Sequence, residues 1–134
     1  MPNASNPAVS DEELLAAARA AREHAYAPYS SFSVGAALLC EDGTVVGACN
    51  VENASYGLSL CAERAAVVSA VAAGKRRFAT LAVVGPPEGA SAPCGACRQV
   101  LVEFAPALRV LYSDGEGYEV TTLNELLPVA FELP

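Results

Sequence analysis

Cys61-Ala62-Glu63 and, thirty residues further on, Pro93-Cys94-Gly95-Ala96-Cys97 decide the reading of this chain. Three thiols and one carboxylate in this spacing come within reach of a single metal ion. Three protein ligands on tetrahedral zinc leave the fourth position open, as in a catalytic rather than a structural site. The spacing also predicts local structure. Cys94 and Cys97 stand at i and i+3 and share one face of a helix. Cys61 opens a stretch of helical periodicity over 60–73 that Gly74 stops. Helix starts carry partial positive charge and free N–H groups, which favour thiolates. Two helix starts meeting at one point would hold one Zn2+ per chain on Cys61, Cys94 and Cys97.

The rest of the order is read outward from these helices. Ser10-Asp11-Glu12-Glu13 forms a capping box for a first helix reaching about Tyr26, with Leu14, Leu15, Ala18 and Ala21 facing inward and Pro28 beyond its end. Residues 34–41 read as an apolar strand. Asp42-Gly43 is expected to be a tight turn, with 44–50 returning antiparallel. That register sets Cys49 opposite Ala36 and keeps Cys40 and Cys49 too far apart for a disulfide. Further strands are expected over 78–85, 108–113 and 118–121. The third helix covers 94–105, and Thr122 caps a short helix through Leu127. The order α-β-β-α-β-α-β-β-α predicts an α/β fold of three layers, a mixed sheet of about five strands with helices on both faces. Residues 1–9, with two prolines and two asparagines, read as a flexible arm, and 10–134 as a single domain.

The composition bounds the partners. The chain has 134 residues, 53% hydrophobic and 17% charged, with net charge -7. This length suits one domain. So little charge on a small domain suggests that other subunits cover some of its surface. A phosphate-gripping protein needs a basic stripe, and Lys75-Arg76-Arg77 reads instead as a solvated helix end; nucleic acid is not expected as a partner. No apolar stretch approaches the roughly 20 residues of a membrane span, and the start lacks a signal-like pattern. A soluble, cytoplasmic protein is expected. Five cysteines suit reduced thiols better than a disulfide framework.

Glu63, two residues past a ligand, is placed to take a proton from a metal-activated water and return it to a substrate nitrogen and then to the leaving amine. Partial burial beside an apolar ring would bring its pKa near working pH. Three thiolates on a dication leave an excess negative charge, and Arg64 is the favoured donor to a ligand sulfur. Arg98 is either a second such donor or a surface residue. Other readings stay open. Cys94-x-x-Cys97 alone could be a redox pair or half of a structural zinc site. Cys40 or Cys49 could close the metal site as a fourth ligand, although both suit a buried hairpin. His24, the sole histidine, reads as a helix-terminal residue. Phe32 reads as core, and Asn50-Val51-Glu52-Asn53 as a polar loop after a strand.

A Cys or His, a Glu two residues on and a later Pro-Cys-x-x-Cys is an already described signature of zinc base deaminases. The chain also carries Tyr26-Ala27-Pro28-Tyr29-Ser30-Ser31-Phe32-Ser33-Val34-Gly35-Ala36-Ala37-Leu38, Asn50-Val51-Glu52-Asn53-Ala54-Ser55-Tyr56, Pro93-Cys94-Gly95-Ala96-Cys97-Arg98-Gln99 and Glu125-Leu126-Leu127-Pro128 running to Phe131. Together, from about residue 11 to 131, these resemble the small, homotetrameric cytidine deaminases. The resemblance implies hydrolytic deamination of cytidine and deoxycytidine in pyrimidine salvage. It implies that Asn50 and Glu52 bind the sugar 3′-hydroxyl, that Phe32 packs on the pyrimidine and that the Ala62 N–H binds the ring carbonyl. Glu63 would meet the exocyclic amine and ring nitrogen. Tyr56 and Phe131 would lie near a subunit interface, with Phe131 reaching a neighbour's active site. All-cysteine ligands match the tetrameric branch. A rival of the same fold would act on another aminopyrimidine nucleoside such as blasticidin S; a cytidylate deaminase would need a phosphate cradle that the sequence does not show.

Overall fold

The computed structural model describes residues 9–134. The arm expected over 1–9 therefore lies outside the described residues except for Val9, which packs against the cluster beneath the first helix. In chain order the elements are α1 (Asp11–Arg22), β1 (Gly35–Cys40), β2 (Val45–Cys49), a 3-10 turn (Tyr56–Leu58), α2 (Ala62–Ala72), β3 (Phe78–Val84), α3 (Gly95–Val102), β4 (Arg109–Ser113), β5 (Tyr118–Thr122) and α4 (Leu123–Leu126). The sheet runs β2-β1-β3-β4-β5, antiparallel throughout except for the parallel pair β3–β4 joined through α3.

Strand alternation builds the three layers. Ala36, Leu38 and Cys40 of β1 and Leu81 and Val83 of β3 face the core under α2 and α3. Their neighbours Ala37, Ala82 and Val84 face Leu14, Leu15 and Ala18 of α1 on the other side. β1 and β3 are buried on both faces, which explains their nearly continuous apolar runs. Gly35 lets α1 approach closely: a Cβ there would sit 2.0 Å from the Ala18 carbonyl oxygen.

Helix α1 starts as expected, with Ser10 Oγ accepting from Glu13 N–H at 3.0 Å and Glu13 Oε1 accepting from Ser10 N–H at 2.8 Å. It ends at Arg22, not Tyr26. The chain tightens there into i to i+3 bonds from His24 and Ala25, and Tyr26 pairs instead with Val51. The hairpin register also differs from the expected one. Ala36 pairs with Ala48, and Gly35 with Cys49. The loop has three residues, Glu41-Asp42-Gly43, because Gly43 N–H closes a turn onto the Cys40 carbonyl and Gly43 takes a left-handed φ of 93°. Cys40 and Cys49 are free thiols, as the sequence implied.

Lys75, just past the end of α2, pairs with Asp42 at 2.6 Å. No helix among the described residues is long and apolar enough to cross a membrane.

Candidate active site

Cys61 is the N-cap of α2 and Cys94 the N-cap of α3, with Cys97 in the first turn of α3. The crossover from β3 brings the α3 start to the carboxyl end of the sheet, where ligands of open α/β sheets collect. Val51 reaches the same place by another route. Its N–H and C=O pair with Leu60 at 3.0 and 2.9 Å, so the segment after β2 lies alongside the approach to Cys61.

The three sulfur atoms lie within 4.8 Å of one another. Those of Cys94 and Cys97 are 3.5 Å apart. Zinc–sulfur bonds of about 2.3 Å in a tetrahedron put sulfurs about 3.8 Å apart, so the cluster is sized for the ion. The donor chemistry fits as well. A hydrogen bond from the Cys97 thiol, supported by the Arg64 guanidinium, holds Cys61 down to about 5. The same bond, together with burial, pushes Cys97 well above the thiol range. Sulfurs this crowded share protons, and a sulfur-binding dication takes the place of those protons. Arg64 Nη2 donates to Cys61 Sγ at 3.3 Å. Arg98 serves elsewhere: Nε and Nη1 donate to the Pro93 and Leu126 carbonyls at 2.7 and 2.8 Å, fastening the α3 start to α4. Among the described residues neither Cys40 nor Cys49 joins the cluster, and Cys40 lies in the core under α2 and α3.

Glu63 is buried in the first turn of α2. Burial pushes its carboxyl up to about 7, and the Cys61 thiolate adds to the rise. A cavity of about 540 Å³ opens onto it, within the range of small-molecule sites. Phe32, Asn50, Glu52, Tyr56, Ala62 and Arg64 all line this cavity. Asn50 and Glu52 share one side of their segment, with Val51 exposed between them.

The open face of the cavity is held by side chains gripping backbone. Asn50 Oδ1 accepts from Val34 N–H at 2.9 Å, and its Nδ2 donates to the Phe32 carbonyl at 2.8 Å. Glu52 Oε1 accepts from Tyr29 and Ser30 N–H at 2.9 and 3.2 Å, and Oε2 accepts from the Ser30 hydroxyl. Phe131 stands apart from the other expected residues. It is 68% exposed and lines a different groove, where its carbonyl accepts from Gln99 Nε2 at 3.1 Å. Ser30 lines the cavity too, although the sequence offered no reason to single out one serine in Tyr29-Ser30-Ser31-Phe32.

A three-sulfur metal centre beside a buried acid, at the carboxyl edge of a mixed sheet, defines a zinc-dependent α/β enzyme. Comparison with known proteins narrows the class. The pattern of the "Cytidine and deoxycytidylate deaminase zinc-binding region" family matches residues 8–113. A cytidine deaminase of Sporosarcina psychrophila is 52% identical over 122 residues, covering 90% of each chain. The crystal structure of cytidine deaminase from Burkholderia pseudomallei superposes with a TM-score of 0.87 at 56% identity, covering 91% of this chain and 99% of that one. A blasticidin-S deaminase of Bacillus cereus is a more distant relative, 31% identical over 106 residues, which is 73% of this chain and 76% of its own. The chain belongs to the cytidine deaminase family.

Proposed function

We propose that the protein converts cytidine and 2′-deoxycytidine, with water, into uridine and 2′-deoxyuridine plus ammonia, as a cytoplasmic step of pyrimidine salvage. The observation that carries this reading is Glu63, a buried carboxyl held near pKa 7 beside the three-sulfur cluster and open to the cavity. The identity to proteins named cytidine deaminase supports it, and so does the lower identity to the blasticidin-S enzyme.

Cys61, Cys94 and Cys97 would hold the zinc, which would supply a Lewis acid that brings the pKa of a water molecule towards neutrality. Glu63 accepts the proton of that water as its oxygen attacks the amine-bearing ring carbon. Glu63 then gives that proton to the adjacent ring nitrogen, takes the proton left on the added hydroxyl and delivers it to the departing amine, so the ring keeps its N–H, the C–O bond becomes a carbonyl and ammonia leaves. A carboxyl with a pKa near 7 can both take and give a proton at neutral pH. The Ala62 N–H, at the start of α2 where amides lack intrahelical partners, binds the ring carbonyl. Phe32 packs on the ring. Asn50 and Glu52 bind the 3′-hydroxyl, so ribose and 2′-deoxyribose are both accepted. Arg64 offsets the excess charge of three thiolates.

The same reading makes the protein a homotetramer with Tyr56 and Phe131 at subunit interfaces, Phe131 entering a neighbour's site. Their exposures of 76% and 68% in the single chain support that assignment. The test is loss of cytidine absorbance on mixing with purified protein, repeated after zinc removal and with blasticidin S. Turnover of the antibiotic alone would overturn the proposal. A fully active monomer in sedimentation would overturn the tetramer.

A further inference from the structure

We infer that Ser30 is a positioning residue that joins the ring platform to the sugar clamp and sets the preference for a 3′-hydroxyl; the inference rests on the nucleoside reading of the cavity. A serine hydroxyl has one proton to give and two lone pairs to accept with. Here the proton goes to Glu52 Oε2, and a lone pair takes the Phe32 N–H at 2.9 Å. The hydroxyl is therefore fixed at both ends, one end on the residue under the ring and the other on the carboxylate at the sugar.

The backbone is shaped to allow this. Ser31 has φ 59°, the sole left-handed non-glycine among the described residues. Its own N–H is anchored to the Ala27 carbonyl at 3.0 Å. That conformation turns the Phe32 N–H back towards Ser30 two residues earlier. A left-handed serine is uncommon, and such geometry persists where surrounding contacts enforce it.

Counting lone pairs shows what remains for a ligand. Glu52 Oε1 is filled by the Tyr29 and Ser30 amides, and Ser30 occupies one site on Oε2, so one acceptor site on Oε2 is left. Asn50 has used one of its two Oδ1 lone pairs and one of its two Nδ2 protons, so one acceptor site and one amide proton are left. The free acceptor site on Glu52 and the free amide proton of Asn50, lining the same cavity, match a single hydroxyl, which both gives and accepts. Without Ser30, Oε2 is free to turn and the pairing loses its direction.

The experiment compares wild type, Ser30→Ala and Ser30→Thr as full-length, zinc-loaded proteins. Kinetic constants are measured for cytidine and 3′-deoxycytidine, and calorimetric affinities for uridine and 3′-deoxyuridine. Ser30 is exposed, so thermal melting is expected to be unchanged by either substitution. The alanine variant is expected to lose about tenfold of the preference for the hydroxyl-bearing compound, through KM rather than kcat, because a hydrogen bond to a charged group is lost. Threonine, which keeps the hydroxyl, is expected to restore the preference. The inference is overturned if the alanine variant keeps the preference, if both compounds weaken equally, or if wild type has no preference. A wild type that binds uridine but deaminates neither substrate would refute the deamination reading, and the calorimetric preference would still decide the role of Ser30.

Discussion

On one side of the cavity, three sulfurs are delivered by the starts of α2 and α3, with Cys97 and Glu63 sunk into the protein. On the other side, Asn50 and Glu52 are held by the backbone of 29–34, and Phe32 is 49% exposed. The metal side takes its positions from helix geometry, set within a few residues of sequence. The Asn50–Glu52 side takes its positions from hydrogen bonds spanning 16 to 23 residues, exposed at Glu52 and partly buried at Asn50. Buried groups without alternative partners fail abruptly when changed, whereas exposed ones can turn to water. The two sides should therefore break differently: the sulfur side all at once, the Asn50–Glu52 side by degrees, most gently at the exposed Glu52.

The largest effect is expected from Cys97→Ala. It removes a fully buried donor from the cluster, so zinc content by metal analysis should fall far below one per chain and turnover should vanish. Full zinc and normal turnover in that variant would break the comparison at its root. Glu63→Gln comes next. The amide fills the same space without taking a proton, so one zinc per chain and the melting temperature should persist while kcat falls about a thousandfold. A fall of less than tenfold would remove Glu63 from the proton transfers.

On the other side, Asn50→Ala leaves the Val34 N–H and Phe32 carbonyl without their partner. Urea unfolding should show a loss of about 1–3 kcal/mol, with KM for cytidine raised and zinc retained. Loss of the metal there would mean that the two sides are not separable.

The smallest effect belongs to a pair on neither side. Arg109 makes a two-pronged bond to Asp11 at 2.6 and 2.8 Å and holds its carboxyl below the ordinary 3.8. An acid with a depressed folded-state pKa stabilises the fold above its unfolded value and loses that contribution as pH falls through the folded one. Arg109→Ala should therefore cost under about 1 kcal/mol at neutral pH, since the pair is partly exposed. The penalty should shrink towards zero in unfolding curves taken well into the acid range; an equal cost at both pH values would break the link to Asp11.

The sequence was most legible where local rules govern. The Ser10–Glu13 capping box, the apolar runs of β1 and β3 and the helix starts at Cys61 and Cys94 follow from neighbours within a turn or a pleat. The β1–β2 register did not follow, because Asp42-Gly43 serves both a two-residue turn and the last two places of a three-residue one. The choice was made by the Gly43 bond to Cys40. The end of α1 was set by Tyr26 pairing with Val51, a contact between segments 25 residues apart. Arg64 was identified from its spacing to Cys61, whereas the work of Arg98 depends on where α4 packs. Ser30 was hidden because nothing local distinguishes it from Ser31.

By itself the sequence determined the layered α/β order, the sulfur trio and the acid beside it. Helix periodicity and the chemistry of thiols and carboxylates act over a few residues and leave a pattern in the chain. The tertiary structure decided how burial pushes Glu63 to about 7, which arginine meets a ligand sulfur and how Ser30, Glu52 and Phe32 lock together. Those outcomes depend on which distant groups exclude water from a site or supply its missing hydrogen-bond partner, and that is settled only when the segments pack.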